Sequence, residues 1–296
     1  MILPNLLIVG AAKSGTTSLH NYLDQHPDIF MSKHKEPHFL INNEIGNSRI
    51  PNGISDIHTY SNLFVAGSNA KYRGESSAMY LQFPDIVIEN IKRNLANDVK
   101  IIIMLRNPID RAFSGYHHVK RYNIDENLSF EDAIEKSEER YFKNTNITPA
   151  SRYIHIGMYF DFVNKFFAHF GNKVHIIIYD DFIENTKNEL DKIFNFLDVK
   201  KTKIDTAKQY MTGGWKWKNS FQRKIFMKQN VLKRVLKIIL PNKYFRLKIR
   251  NLFLRFFTKP TEKIDGDTRI KLKNIYKKDV SKLSDLLNRD LNYWMK

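Results

Sequence analysis

The 296-residue chain contains no cysteine. That absence excludes a disulfide scaffold, a cysteine nucleophile, thiolate-bound zinc and an iron–sulfur cluster. No run of 18 apolar residues occurs either, so no transmembrane helix is expected. Acids are scarce beside bases: 31 Asp and Glu against 48 Lys and Arg leave a formal charge of +17. Nucleic-acid binding is the first class that such a charge suggests. Hydrophobic residues at 42% and aromatics at 13% exclude a disordered chain. Residues 1–12 carry no charged side chain, and Lys13 follows the apolar stretch 6–9 instead of preceding it. An export signal has the opposite order, so the stretch is read as a buried strand. The expected location is therefore cytoplasmic.

The charge that is present is unevenly placed. Between Lys216 and Lys263 stand fifteen basic residues and one acid, Glu262, so this stretch carries +14 of the +17. Phe221, Ile225, Leu232, Leu236 and Ile239, then Phe245, Ile249, Phe253, Phe256 and Phe257, recur within it at spacings of three and four. The periodicity predicts two amphipathic helices separated at Pro241. Three roles are open to residues 216–263: docking of an anionic acceptor such as an acidic glycan, peripheral attachment to an anionic membrane surface, or a solvated helical cap on the core. No recognisable nucleic-acid-binding module accompanies the charge, so no nucleic-acid partner is expected.

Elsewhere apolar runs alternate with helical periodicity. Residues 6–10, 72–75, 99–105 and 174–179 read as strands. Helices are expected over 16–26, 84–95, 108–118, 130–140, 157–170, 182–197 and 268–291, while 42–70 look irregular. Strands that are apolar throughout are buried on both faces. The pattern therefore predicts an α/β fold, a parallel β-sheet flanked by helices. A single domain spans 1–296, with a core of about 1–210, a basic helical insertion of about 216–263 and a helical part over 268–296.

Two junctions carry chemistry. Gly10-Ala11-Ala12-Lys13-Ser14-Gly15-Thr16-Thr17-Ser18 follows a strand and opens a helix, where backbone N–H groups and the helix N-terminus favour an anion. The spacing of Gly10 and Gly15 is that of a nucleoside-triphosphate loop, but Thr16 stands where that loop has its Lys, and the Lys has moved to position 13. Residues 99–105 lead into Arg106 rather than a magnesium-binding Asp. A short 5′ anionic group handled without metal fits better than a triphosphate. At the second junction Arg106 leaves a strand at its C-terminal end, and Ser114 follows two helical turns later. Arg111 is read as a charge on the helix surface.

Together these motifs resemble the sulfotransferase family that uses 3′-phosphoadenosine 5′-phosphosulfate (PAPS). Lys13-Ser14-Gly15-Thr16-Thr17 is similar to its 5′-phosphosulfate loop, and Arg106 with Ser114 to its 3′-phosphate site. The resemblance continues through residues 25–29, Lys35-Glu36-Pro37-His38-Phe39-Leu40, residues 74–81 and Leu291-Asn292-Tyr293-Trp294. It is strongest towards bacterial and Golgi-type carbohydrate sulfotransferases, and it implies a three-layer fold similar to that of P-loop nucleotide hydrolases.

The resemblance implies in-line transfer of a sulfuryl group from PAPS to a hydroxyl or amine of a carbohydrate, glycolipid or related acceptor, leaving adenosine 3′,5′-bisphosphate (PAP). Lys13 and the loop N–H groups would stabilise charge on the 5′ side, with Thr16, Thr17 and Ser18 as further donors. Arg106 and Ser114 would hold the 3′-phosphate. The family's base position falls on Glu36, with His38 as the runner-up and an ion pair of Glu36 to Lys33 or Lys35 as the bland alternative. Where some members carry a Lys after the Glu of residues 74–81, this chain has Ser76, so no second catalytic Lys is carried over. Residues 213–218 are a candidate cover for the donor, with Trp215, Lys216 and Lys218 as contacts, although both tryptophans suit a core anchor equally well. His34 and His38 have metal-pair spacing but lack a third ligand, and no metal is expected. The rival readings are a P-loop nucleotide kinase or hydrolase, and a non-catalytic protein that binds a membrane surface.

Overall fold

Five residues in unbroken burial, Leu6–Gly10, form the first strand, β1. In the computed structural model, which describes residues 1–95, 98–123, 126–208, 210, 213–219, 223 and 256–296, β1 is the centre of a five-stranded sheet. Then come α1 (Thr16–Leu23), β2 (Ile29–Met31), α2 (Phe39–Ile45), α3 (Ile57–Asn62), β3 (Tyr72–Ser76), α4 (Pro84–Asn94) and β4 (Lys100–Leu105). They are followed by α5 (Pro108–Tyr122), α6 (Phe130–Glu135), α7 (Ser137–Lys143), α8 (Tyr159–Phe170), β5 (Val174–Ile178), α9 (Tyr179–Glu184) and α10 (Thr186–Phe196).

The strand order is β2-β3-β1-β4-β5 and every pairing is parallel. After β1 the chain steps to the sheet edge as β2, returns beside β1 as β3, then crosses to place β4 on the other side. Such a reversal opens a crevice at the C-terminal strand ends, where ligands of open α/β sheets sit. Alternation along the strands divides the core in two. Leu7, Val9, Ile101, Ile103 and Leu105 pack with α2, α4, α5 and α8 on one face. Leu6, Ile8, Ile102, Met104 and Ile177 pack with α1 and α10 on the other. The expected parallel sheet between helical layers is thus the architecture found.

Several expectations are corrected. Residues 42–70 contain the end of α2 and all of α3, and β2 had no strong apolar run to announce it. The helix expected over 182–197 is two helices, because the Asn185 side chain accepts from the Asn188 N–H (3.1 Å) and starts α10 afresh. The helix expected over 130–140 divides at Lys136. Both ends of the basic stretch are strands: β6 (Trp215–Trp217) pairs antiparallel with β7 (Thr258–Pro260). The Trp-Lys-Trp alternation of β6 has a strand period, and Trp217 Nε1 donates to the Arg121 carbonyl at 3.2 Å. The two amphipathic helices expected about Pro241 fall on 220–222 and 224–255, outside the described residues.

A last helix, α11 (Gly266–Leu287), packs on α8. Its Asp279 accepts the N–H groups of Tyr159 (2.8 Å) and Phe160 (3.2 Å) and so caps α8 from across the fold. Trp294 Nε1 donates to Asp180 at 2.9 Å, which ties residues 292–295 to α9. Among the described residues, no helix is long and apolar enough to cross a membrane.

Candidate active site

The loop between β1 and α1 is shaped by two glycines. Gly10 (φ +156°) passes so close to Leu81 that a Cβ would stand 2.6 Å from the Leu81 Cβ. Gly15 (φ +94°) precedes α1, and a Cβ there would meet the Tyr179 ring at 3.0 Å. Between them the Ala11 N–H donates to the Met104 carbonyl at 2.7 Å, anchoring the loop to the end of β4. Thr16 and Thr17 then lead α1, whose first-turn N–H groups point out of the helix end. Lys13, Gly15, Thr16, Thr17 and Ser18 all line one cleft of about 960 Å³. Ser14 does not: its side chain is fully buried beneath the loop, and its N–H donates to the Ala11 carbonyl at 3.2 Å. The Ser18 hydroxyl accepts the Tyr210 N–H at 3.3 Å, so part of its capacity holds the 205–210 segment.

Arg106 and Ser114 reach the same cleft from β4 and α5. Asn107 caps α5 by accepting the Ile109 N–H at 3.0 Å, and Pro108 occupies the first helical position. The Arg106 guanidinium donates through Nη1 to the Lys13 carbonyl (3.2 Å) and lies 4.9 Å from the centre of the Tyr179 ring. It is thereby bound to the loop it faces. Arg111 is corrected: far from being a surface charge, it is completely buried, donates to the Tyr153 carbonyl and contributes to the cleft wall.

The turn at 35–38 lines the cleft through Lys35, Glu36 and His38. Glu36 (φ +61°) and His38 (φ +54°) both have left-handed backbone. One oxygen of Glu36 accepts from Lys35 Nζ at 2.5 Å; the other accepts the Ala78 N–H at 2.9 Å and lies 3.5 Å from His38 Nε2. Burial pushes the Glu36 pKa up, but Lys35, His38 and the Ala78 N–H outweigh it and hold the carboxyl below its ordinary value. Glu36 is therefore an ionised carboxylate that still faces the cleft. The bland alternative and the chemical one coexist, since Lys35 pairs with Glu36 without closing it off.

Charges that sequence reasoning missed converge on the same space. Arg121, four per cent exposed, and His118 come from the last turns of α5. Lys13 Nζ makes a long hydrogen bond, 3.5 Å, to His118 Nδ1. Burial, with Lys13 and Arg121 adding repulsion, lowers the His118 pKa to about 3, so the ring is neutral and accepts from the ammonium. Burial first, then Arg121, Arg106 and Lys35, bring Lys13 down to about 8, against the pull of Glu36. The helical spacing of Ser114, His118 and Arg121 was the signal available for them. Trp215, Lys216 and Lys218 do not line this cleft. Lys216 is paired with Glu262, and Arg121 stacks 4.7 Å from the Trp215 ring. Gly213 and Gly214 of the same segment do reach the cleft. Among the described residues, no group of three or more His, Asp or Glu side chains is placed to hold a metal.

A cationic loop at a helix N-terminus, an arginine bonded to it and an ionised carboxylate lining the same space make a cleft suited to group transfer from a multiply anionic donor. Comparison with known proteins bears on which transfer. Residues 3–213 match the sulfotransferase domain family. The chain belongs to the sulfotransferase family. Among curated sulfotransferases, it is 33% identical over 117 residues to the membrane-associated sulfotransferase kil1 of Dictyostelium discoideum, covering 40% of this chain and 23% of that protein. It is 24% identical over 250 residues to human carbohydrate sulfotransferase 15, covering 67% of this chain and 44% of the relative. The chain thus spans less than half the length of these relatives. Among solved structures, a sulfotransferase from Alicyclobacillus acidocaldarius superposes over 100% of both chains, with a TM-score of 0.76 and 28% identity. The described residues therefore have the sulfotransferase fold.

Proposed function

We propose that the protein transfers a sulfuryl group from PAPS to a hydroxyl or amine of a carbohydrate acceptor. The observation that carries this is that Lys13 and Glu36 line one cleft, close enough for the carboxylate to favour the lysine's charged form. Lys13, with the N–H groups that open α1 and the hydroxyls of Thr16, Thr17 and Ser18, neutralises charge on the 5′-phosphate as it departs. Arg106 and Ser114 hold the 3′-phosphate, the group that separates this donor from ordinary adenylates. Glu36 takes the acceptor proton as the acceptor oxygen or nitrogen bonds to sulfur, and the bond between sulfur and the 5′-phosphate oxygen breaks to release PAP. His38, 3.5 Å away, is the alternative base.

Two tests decide the reading. PAP should bind without magnesium, and labelled sulfate should pass from PAPS to members of a panel of oligosaccharides and glycolipids, with Lys13→Ala abolishing transfer. Magnesium-dependent ATP hydrolysis in place of PAP binding would instead support a nucleotide kinase or hydrolase. Thr16 standing where that class has its lysine already weighs against it.

A second reading concerns where the acceptor is met. The +14 stretch over 216–263 favours an anionic lipid surface, and a curated relative is named as membrane-associated. On this reading the enzyme is cytoplasmic, peripheral at the membrane, and its acceptor is a lipid-linked carbohydrate. Sedimentation with vesicles containing phosphatidylserine, compared with neutral vesicles, tests it. Equal sedimentation at physiological salt rejects it.

A further inference from the structure

Beneath the Glu36 turn lies a carboxyl that the proposed reaction does not use. Glu75, near the end of β3, is completely buried. Its Oε1 accepts from the Tyr60 hydroxyl at 3.1 Å, and its Oε2 accepts from Ser77 Oγ at 2.8 Å. The Tyr80 hydroxyl also bears on it. Ser77 Oγ in turn accepts the His38 N–H at 3.1 Å, and Tyr80 Oη accepts the Leu40 N–H at 3.2 Å. Two more bonds join the same segments: the Glu36 N–H donates to the Ser76 carbonyl at 3.0 Å, and the Ala78 N–H donates to Glu36 Oε2 at 2.9 Å. Left-handed backbone at non-glycine residues persists only where surroundings over-determine it, and here the surroundings are these four bonds. Two of the four end on hydroxyls that converge on Glu75.

We propose that Glu75 is a positioning residue for sulfuryl transfer: through Ser77 it fixes the His38 backbone, and with it the left-handed turn that presents the Glu36 carboxylate to the cleft. The assignment rests on the sulfotransferase reading of the cleft and adds a residue to it.

The network also has a built-in pH dependence. Burial pushes Glu75 up to about 7, against the hydroxyls of Tyr80, Ser77 and Tyr60, and the Glu36 carboxylate pushes it the same way as burial. The other titratable groups nearby act one step removed. Lys35 and His38 bear on Glu36, and His20 Nδ1 lies 3.0 Å from Ser76 Oγ. As a carboxylate, Glu75 accepts from all its hydroxyl neighbours. Once protonated, it must donate one bond, and a hydroxyl must turn or lose its partner. Positioning is therefore best above pH about 7.

The test compares Glu75→Gln and Ser77→Ala with the wild-type chain. PAP affinity is measured by calorimetry, and PAP release from PAPS is followed with water as acceptor across pH 5.5–9. Each variant should bind PAP as the wild type does, while kcat falls about tenfold or more, the scale on which small displacements of a reacting group act. The wild-type rise in kcat through about pH 7 should be absent in Glu75→Gln. Should Glu75→Gln fail to fold, Ser77→Ala decides, because it keeps the buried carboxyl and removes only the link. Wild-type kcat and pH profile in folded variants would overturn the assignment, as would parallel loss of kcat and PAP affinity. A wild-type chain that neither binds PAP nor releases it from PAPS would instead overturn the sulfotransferase reading, and this assignment with it.

Discussion

The two walls of the cleft are built in different ways. The wall with Lys13 and Arg106 hangs on consecutive backbone: a strand end, a glycine-bounded loop, a helix N-terminus and the end of the neighbouring strand. The wall with Glu36 leans on side chains, because its left-handed turn is held by the Ser77 hydroxyl and the last carbonyl of β3, and the start of α2 after it by Tyr80. The first wall is cationic, and its lysine is pushed down by its neighbours. The second carries an anion kept ionised by Lys35. A donor with several negative charges needs the first kind of surface, since its phosphates pair with many donors at once. Proton abstraction needs only one group, but that group must be held at a fixed point. The contrast gives each wall its own kinetic signature.

After the abolition of transfer expected of Lys13→Ala, the largest effect is expected from the proposed base. Glu36→Gln keeps the shape and removes the charge, so kcat should fall about 10²- to 10⁴-fold while PAP affinity stays within twofold. Steady-state kinetics with PAP calorimetry checks the split. An unchanged kcat would move the base to His38. Arg106→Ala attacks the other wall. A charge-assisted contact to phosphate contributes roughly 1.5–3 kcal/mol, so PAP should bind about ten- to a hundredfold more weakly. The same variant should leave the affinity for adenosine 5′-phosphate, which lacks the 3′ group, much less changed. Equal losses for both ligands would detach Arg106 from the 3′-phosphate.

A milder lever is pH. Lys13 titrates at about 8 in the free cleft, below its ordinary value, because of burial and then Arg121, Arg106 and Lys35. An anionic ligand beside it favours the ammonium, so the bound value lies higher. Binding therefore takes up a proton above pH 8, and affinity falls as pH rises through that value. Between pH 7 and 9 the loss should reach about tenfold. Calorimetry in buffers of different ionisation heat measures the uptake directly, and Lys13→Ala should flatten the curve.

How far the sequence announced these walls follows from how they are built. The donor wall was legible because its parts are contiguous: the order apolar run, Gly10, Lys13, Gly15, Thr16 requires no knowledge of the rest of the chain. The parallel sheet was legible for the same reason, through the apolar runs of β1 and of β4 after Lys100. Arg111 was misplaced because a helix interior and a helix surface share one periodicity, and only tertiary packing separates them. The tie between Glu36 and Glu75 spans 39 positions of sequence through the hydroxyls of Ser77 and Tyr80, neither of which has a spacing that signals it. The strands β6 and β7 were hidden because their pairing joins residues more than forty positions apart, across a stretch whose charge and periodicity dominate any local reading.

That strand pair supplies the smallest expected effect and the sharpest check on the boundary of the donor wall. Lys216 suits phosphate contact by its residue type and neighbours, yet it stands outside the cleft and pairs with Glu262. The pair is partly exposed, 27% on the lysine side and 64% on the glutamate side, so solvent screens it. Exposed pairs of this kind contribute roughly 0–1 kcal/mol to stability. Lys216→Ala should therefore lower the melting temperature by no more than a few degrees and change PAP affinity by less than about twofold. The same substitution tested beside Arg106→Ala separates two pictures. If Lys216→Ala costs as much PAP affinity as Arg106→Ala, the segment closes over bound donor and breaks its pair with Glu262 to do so. If the two differ as expected, the donor wall ends at Gly213 and Gly214, and the positive charge beyond them serves something other than the nucleotide.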